Sequence, residues 1–349
     1  MITRPCGYYD VTYRQDQRII RTRAQWGWLI TLLIVVYGVI PLLGDSFVFA
    51  VFNNLYIYII ATLGLALITG YCGQISLGQV AFMAIGAYTS TLLGIHFNLP
   101  FWIALPCAAV VSALSGLVIG IPSFRLKGFY LLLSTIAFHV IVMFVIIHTP
   151  ALYRGGAGLT ASPPRLGGLV FDSDFKYYFI CITALVIMTC LAKNITRGRL
   201  GRAFIAVRDN DIAAELTGID VKRVKLQAFA LSALFGGVAG SLWAHYSLDV
   251  HPAQFTMIRA VMLLGMLVVG GTGSILGAVL GVLFLGGIEQ LLIYLMPVIQ
   301  VMLPMGWAAN MPLIIYGIII MVFMVLEPRG LAHLWTSFRN WYRLWPFKY

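Results

Sequence analysis

The chain has 349 residues, of which 60% are hydrophobic and only 10% charged, with a formal net charge of +11. Soluble domains carry about 25% charged residues, so a water-soluble enzyme or binding module is excluded as the bulk of the molecule. The basic residues sit between apolar runs, as the flanks of membrane spans do, which argues for a lipid bilayer and against nucleic acid as the partner.

Apolar runs of about 20 residues, each long enough to cross roughly 30 Å of hydrocarbon, recur along the sequence. They are continuous rather than alternating, so they predict helices and not a barrel. Ten spans are expected, at 25–43, 47–69, 79–97, 101–121, 129–148, 177–193, 226–247, 258–270, 279–297 and 310–326. The chain therefore reads as an all-α polytopic membrane protein. It has a polar segment at 1–24, a transmembrane domain at 25–326 and a tail at 327–349. An even number of spans puts both termini on one side. That arrangement leaves 19 of the 23 Lys and Arg residues on one side and only Arg154, Arg165, Lys176 and Arg259 on the other. The positive-inside bias names the first side cytoplasmic.

The first 24 residues are polar and basic, and no apolar stretch with a small-residue cleavage site precedes the first span, so no secretory signal is expected. Cys6, Cys72, Cys107, Cys181 and Cys190 show no C-x-x-C spacing. They read as small packing residues rather than disulfides or metal ligands.

Two glycine-rich stretches interrupt the apolar pattern without bringing charge. They are GYCGQISLGQ at 70–79 and GGTGSILG at 270–277. Bare backbone at membrane depth is tolerated only where protein buries it or where it lines a cavity. Gly73, Gln74, Ser76, Gly78 and Gln79 in the first, and Thr272, Gly273 and Ser274 in the second, are candidates to line a translocation pathway. Two tight cytoplasmic turns would account for the same residues. The longest segment on the far side, Thr149 to Phe175, contains RGGAGLTASPPRLGG. It is either a flexible connector or an external binding surface. Gly116 with Gly120, Gly236 with Gly240 and Gly277 with Gly281 are spaced for close helix packing.

The one strongly charged stretch runs from Lys193 to Gln227 and holds eight of the basic and four of the acidic residues. Inside it, the loop 194–225 contains a short helix signal. Asp209, Asn210 and Asp211 supply capping oxygens and negative charge for a helix N-terminus. Ile212, Ala213, Ala214, Glu215 and Leu216 favour helix, and Gly218 suits the position after its end. Ile212, Leu216 and Ile219 fall on one apolar stripe. Such a helix is too short to stand alone in water. It packs either on its own membrane domain or into a groove of a cytoplasmic partner.

Glu289 is the carboxyl residue that falls mid-span, in GGIEQLLIYL. It is either a coupling-ion site or a structural carboxyl. No phosphate-binding loop, H-E-x-x-H motif, nucleophile elbow or acidic metal cluster occurs, so neither an enzyme activity nor a cofactor or metal is expected.

These motifs carry a family resemblance. AVRDNDIAAELTGIDVKRVKLQAFALSALFGGVAGSL resembles the cytoplasmic loop and following span of the branched-chain amino acid ABC importer permeases. GYCGQISLGQVAFMAIGAY at 70–88 and GGTGSILGAVLG at 270–281 are similar to other signatures of that family. KGFYLLLSTIAF at 127–138 and RGGAGLT at 154–160 resemble its LivM-type member. The set spans most of residues 55–290. The resemblance implies a permease subunit of a type II-like ABC importer in a bacterial inner membrane. It implies a heterodimer with a homologous permease, two ATP-binding subunits and a periplasmic substrate-binding protein. It also implies that the helix at Asp209–Gly218 sits in the ATPase groove. Urea and short-chain amide permeases are close relatives. An ion-coupled secondary transporter using Glu289, or a passive channel, is the rival from another class.

Overall fold

The computed structural model describes residues 23–150, 157–166, 169–302, 305–327 and 329–344. The polar segment expected at 1–24 therefore lies outside the described residues except for its last two. Helix α1 covers residues 23–43, with a π-helical turn at Val35–Val39. Next come α2 (Ser46–Tyr71), α3 (Gln79–Phe97), α4 (Phe101–Gly120) and α5 (Phe129–His148). Two-residue strands β1 (Leu159–Thr160), β2 (Arg165–Leu166) and β3 (Leu169–Val170) follow. Helix α6 (Asp174–Arg197) leads into α7 (Arg199–Asp209), α8 (Asp211–Leu216) and α9 (Val221–Ser247). The chain continues through β4 (Asp249–Val250), α10 (Met257–Gly270), α11 (residues 275–302), α12 (Met305–Leu326) and α13 (Leu331–Leu344).

All ten apolar runs are helical. Among the described residues, however, eight helices are long and apolar enough to cross a membrane, or nine if the bent pair α12 and α13 counts as one span. The other two expected spans, 25–43 and 310–326, are helical as well, with side chains that fall partly outside the described residues. In α1 the described apolar stretch runs from Trp26 to Leu42. Helix α12 bends by 47° into α13, across a break that contains Gly330 at φ +75°.

Helix α9 is the axis of the bundle, packed along α4, α3 and α2. Its glycines allow this: a methyl on Gly240 would collide with the Met83 carbonyl of α3. On α4, a methyl on Gly116 would stand 2.6 Å from the Ala233 Cβ. Backbones that close gain dispersion contacts that lipid cannot replace. Helix α2 is buried for most of its length, whereas α5 is largely exposed at the periphery.

Buried polar groups bind the helices together. The Gln79 amide nitrogen donates to the Ala61 carbonyl at 2.9 Å and the Ser232 carbonyl at 3.3 Å, and its oxygen accepts from the Ser232 hydroxyl at 2.8 Å. His245 donates from Nδ1 to the Ser162 carbonyl at 2.8 Å, so its Nε2 accepts from the Ser90 hydroxyl at 2.7 Å. This bond ties part of the long 149–175 segment to the bundle. The antiparallel pairing of Leu159 with Val250 adds a second tie.

Candidate functional site

The charged stretch folds into two short helices at one end of the bundle. Helix α8 is capped at both ends by its own sequence. The Asn210 side chain accepts from the Ile212 and Ala213 amides at 3.0 and 3.1 Å. At the other end the Gly218 amide donates to the Glu215 carbonyl and the Ile219 amide to the Ala214 carbonyl. Gly218 has φ +86°, a left-handed position that glycine adopts without strain and that closes the helix with a Schellman pattern. Of the three residues with cap chemistry, Asn210 is the cap. Asp209 ends α7 and pairs with Arg208, and Asp211 begins α8.

Asp211 holds α8 to the bundle. Its Oδ2 accepts from Lys225 of α9 at 2.8 Å and from Lys127, just before α5, at 2.9 Å. Lys225 is only 2% exposed. Burial by itself would raise the Asp211 carboxyl, but hydrogen bonds and charge from Lys225 and Lys127 outweigh it and hold the group below the usual carboxylate range. Ala214 is buried beneath the helix, and Ile219 packs on the core. Ile212 and Leu216 point away, 68% and 84% exposed. Ala213 and Glu215 are exposed beside them. A two-turn unit that is marginal in isolation is thus fixed on one face and bare on the other.

The two glycine-rich breaks, 200 residues apart in sequence, meet at this same end. A methyl on Gly70 would collide with the Thr272 carbonyl. Arg208 of α7 donates to the Gly70 carbonyl at 3.1 Å. Gly73 has φ +72°, and a methyl on it would stand 2.7 Å from the Arg208 side chain. The break residues differ in surroundings. Gln79 is saturated by its hydrogen bonds, and Ser76 accepts from the Gly78 amide. Gln74 is buried, and its side-chain oxygen has no hydrogen-bond partner among the described residues. Ser274 caps α11 by accepting from the Gly277 amide at 2.9 Å. Thr272 is half-buried and Gly273 exposed. Gly273 and Ser274 border a recess of about 360 Å³ closed on its other side by Arg329, His333 and Trp335.

Glu289, singled out in sequence, lines the same cavity as Arg259. Arg259 is the residue that the sequence reading set on the far side, at the start of the 258–270 span. Its position three residues into α10 was the only available signal, and nothing local joined it to α11. Among the described residues no group of three or more His, Cys, Asp or Glu side chains is arranged to hold a metal.

Comparison with known proteins agrees with this architecture. The chain is 36% identical over 253 residues to the high-affinity branched-chain amino acid transport system permease protein LivM of Salmonella typhimurium (strain LT2), covering 66% of this chain and 60% of that protein. It is 35% identical over the same length, with the same coverage, to LivM of Escherichia coli (strain K12). The chain thus spans about 60% of the length of these two relatives. It is also 26% identical over 234 residues to the autoinducer 2 import system permease protein LsrC of Escherichia coli O9:H4 (strain HS), covering 64% of each chain. No solved structure matches. Residues 47–324 match the family described as branched-chain amino acid transport system / permease component, and the chain belongs to that family.

Proposed function

We propose that this chain is a membrane-spanning permease subunit of an ABC importer that moves branched-chain amino acids across a bacterial inner membrane. In this reading it pairs with a homologous permease, receives its solute from a periplasmic binding protein, and hydrolyses nothing itself. Two separate ATP-binding subunits supply the work, and α8 is their handle. Both termini and the 194–225 loop lie in the cytoplasm.

The observation that carries the reading is the geometry of α8. Ile212 and Leu216, one turn apart, are bare at 68% and 84% exposure, while Asp211 anchors the opposite face to α9 and α5. An apolar pair on a rigid mount suits a groove on another protein. It does not suit a helix that merely connects two spans. Displacement of α8 has a mechanical route inward, because α7 is bonded through Arg208 to the first break, which rests on the second. ATP-driven closure of the partners would then rock the permease as a rigid body. We place the two breaks at the cytoplasmic mouth of the route. Gln74, Gly73, Thr272, Gly273 and Ser274 border it, and Ser76, Gly78 and Gln79 shape its wall. The two relatives at 35–36% identity are named for branched-chain amino acids, which favours that cargo over urea or short-chain amides.

The test is co-purification. The wild-type permease should retain its ATPase in detergent, and a variant with Ile212→Asp and Leu216→Asp should lose it while unfolding at the same temperature. Full retention of the ATPase by that variant rules out α8 as the handle.

A further inference from the structure

The bundle holds a cavity lined by one positive and one negative side chain. Arg259 lies 11 residues before the Gly270 end of α10, roughly 16 Å from that end at 1.5 Å per residue. Its guanidinium stands over the rings of Trp243 at 5.4 Å and Tyr58 at 5.8 Å and donates to the Tyr58 hydroxyl. These contacts fix its plane by cation–π attraction yet engage only part of its five-donor fork. Glu289 of α11 borders the same cavity. The remaining wall is apolar apart from Gln254, whose side-chain oxygen accepts from the Trp243 indole at 3.2 Å, and includes Met83, Met262 and Met266.

We propose that Arg259 and Glu289 form a station for the zwitterionic head group of a neutral α-amino acid. The Arg259 fork takes the carboxylate, Glu289 takes the ammonium, and the apolar wall receives the side chain. The proposal rests on the importer reading and names the solute class it carries. A buried charge of either sign is costly inside a bilayer. A zwitterion is the ligand that neutralises both at once without adding net charge, whereas urea or an amide can hydrogen-bond to both but neutralises neither.

The cavity as it stands holds about 20 Å³, room for a single water, which needs about 10–15 Å³. This is the closed form of the station. Two features let it widen. Methionine side chains repack with little penalty. Helix α11 carries a π-helical segment, Val282–Gly286, immediately before Gly287 and Glu289, and such segments are frequent where a helix must adjust at a functional site.

The experiment uses the complete transporter in liposomes, with its second permease, ATPases and binding protein. Leucine uptake driven by ATP is measured alongside ATP hydrolysis stimulated by leucine-loaded binding protein. Glu289→Gln and Arg259→Met should each cut uptake roughly 10-fold or more, the factor expected for a lost charge-assisted hydrogen bond, with stimulated hydrolysis retained. The double variant should be no better than the worse single one. A purely structural charge pair predicts the opposite: removing both partners restores what removing one destroys. Recovery in the double variant overturns the station, and so does undiminished uptake in either single variant. If a neutral variant fails to fold, Glu289→Asp and Arg259→Lys replace it. They keep both charges but shift them, and should raise the leucine concentration for half-maximal uptake; wild-type behaviour in both overturns the station. A wild-type complex without ATP-driven leucine uptake is a separate failure, because it removes the importer reading underneath.

Discussion

Replacing Asp211 by Ala tests the mount of α8 directly. The carboxylate holds two ammonium groups of different character. Lys127 is 64% exposed, and a pair of that kind contributes no more than about 1 kcal/mol. Lys225 is 2% exposed at 2.8 Å, and stripping the partner from a buried ion costs about 3–5 kcal/mol. Asp211 is itself 20% exposed, so solvent already reaches the pair and the lower end, about 3 kcal/mol, is the expected figure. That energy should appear as local release rather than global unfolding, since a two-turn helix has little stability of its own. Re-seating α8 at that penalty before docking would weaken the ATPase about 100-fold, at 1.4 kcal/mol per decade. Two measurements check this: ATPase affinity of the purified permease, and hydrogen exchange of the 211–218 amides, which should lose protection. Affinity and protection both equal to wild type would refute the reasoning.

Other outcomes follow from the same geometry. Asp211→Asn combined with Lys225→Met should bind the ATPase better than Asp211→Ala alone, because no unpaired ammonium remains buried; affinity titration of the two variants decides it. The Asp211 carboxyl titrates below the usual range, so its stabilisation is complete above the ordinary carboxylate pKa of about 4 and disappears only as pH falls through its lower folded value. Exchange of the α8 amides, corrected for intrinsic rate, should therefore be flat from about pH 5 to 8. Gly70→Ala forces a methyl into the Thr272 carbonyl and should lower stability by about 1–3 kcal/mol through overpacking, read as a drop in the thermal unfolding midpoint in detergent. Ser232→Ala removes the hydroxyl donor to the buried Gln79 oxygen and should cost about 1–3 kcal/mol, measured in the same way.

The membrane helices and the short cytoplasmic helix are legible in the sequence for local reasons. Hydrocarbon thickness sets how long an apolar run must be, and each of the ten runs is helical. Asn210 and Gly218 bracket α8 because capping depends on neighbours within a turn. Local signals also mark where the pattern breaks, at 70–79 and 270–277. They cannot say what a break touches. That Gly70 rests on Thr272, that Lys225 is buried under Asp211, and that Arg259 shares a cavity with Glu289 are facts of tertiary packing. Each joins residues on different helices, and helix-to-helix register is decided by the fit of glycine seams such as Gly240 against Met83. Hydrophobicity along one strip of sequence decides that a helix enters the bilayer. Only steric complementarity between helices decides which charges and glycines end up side by side.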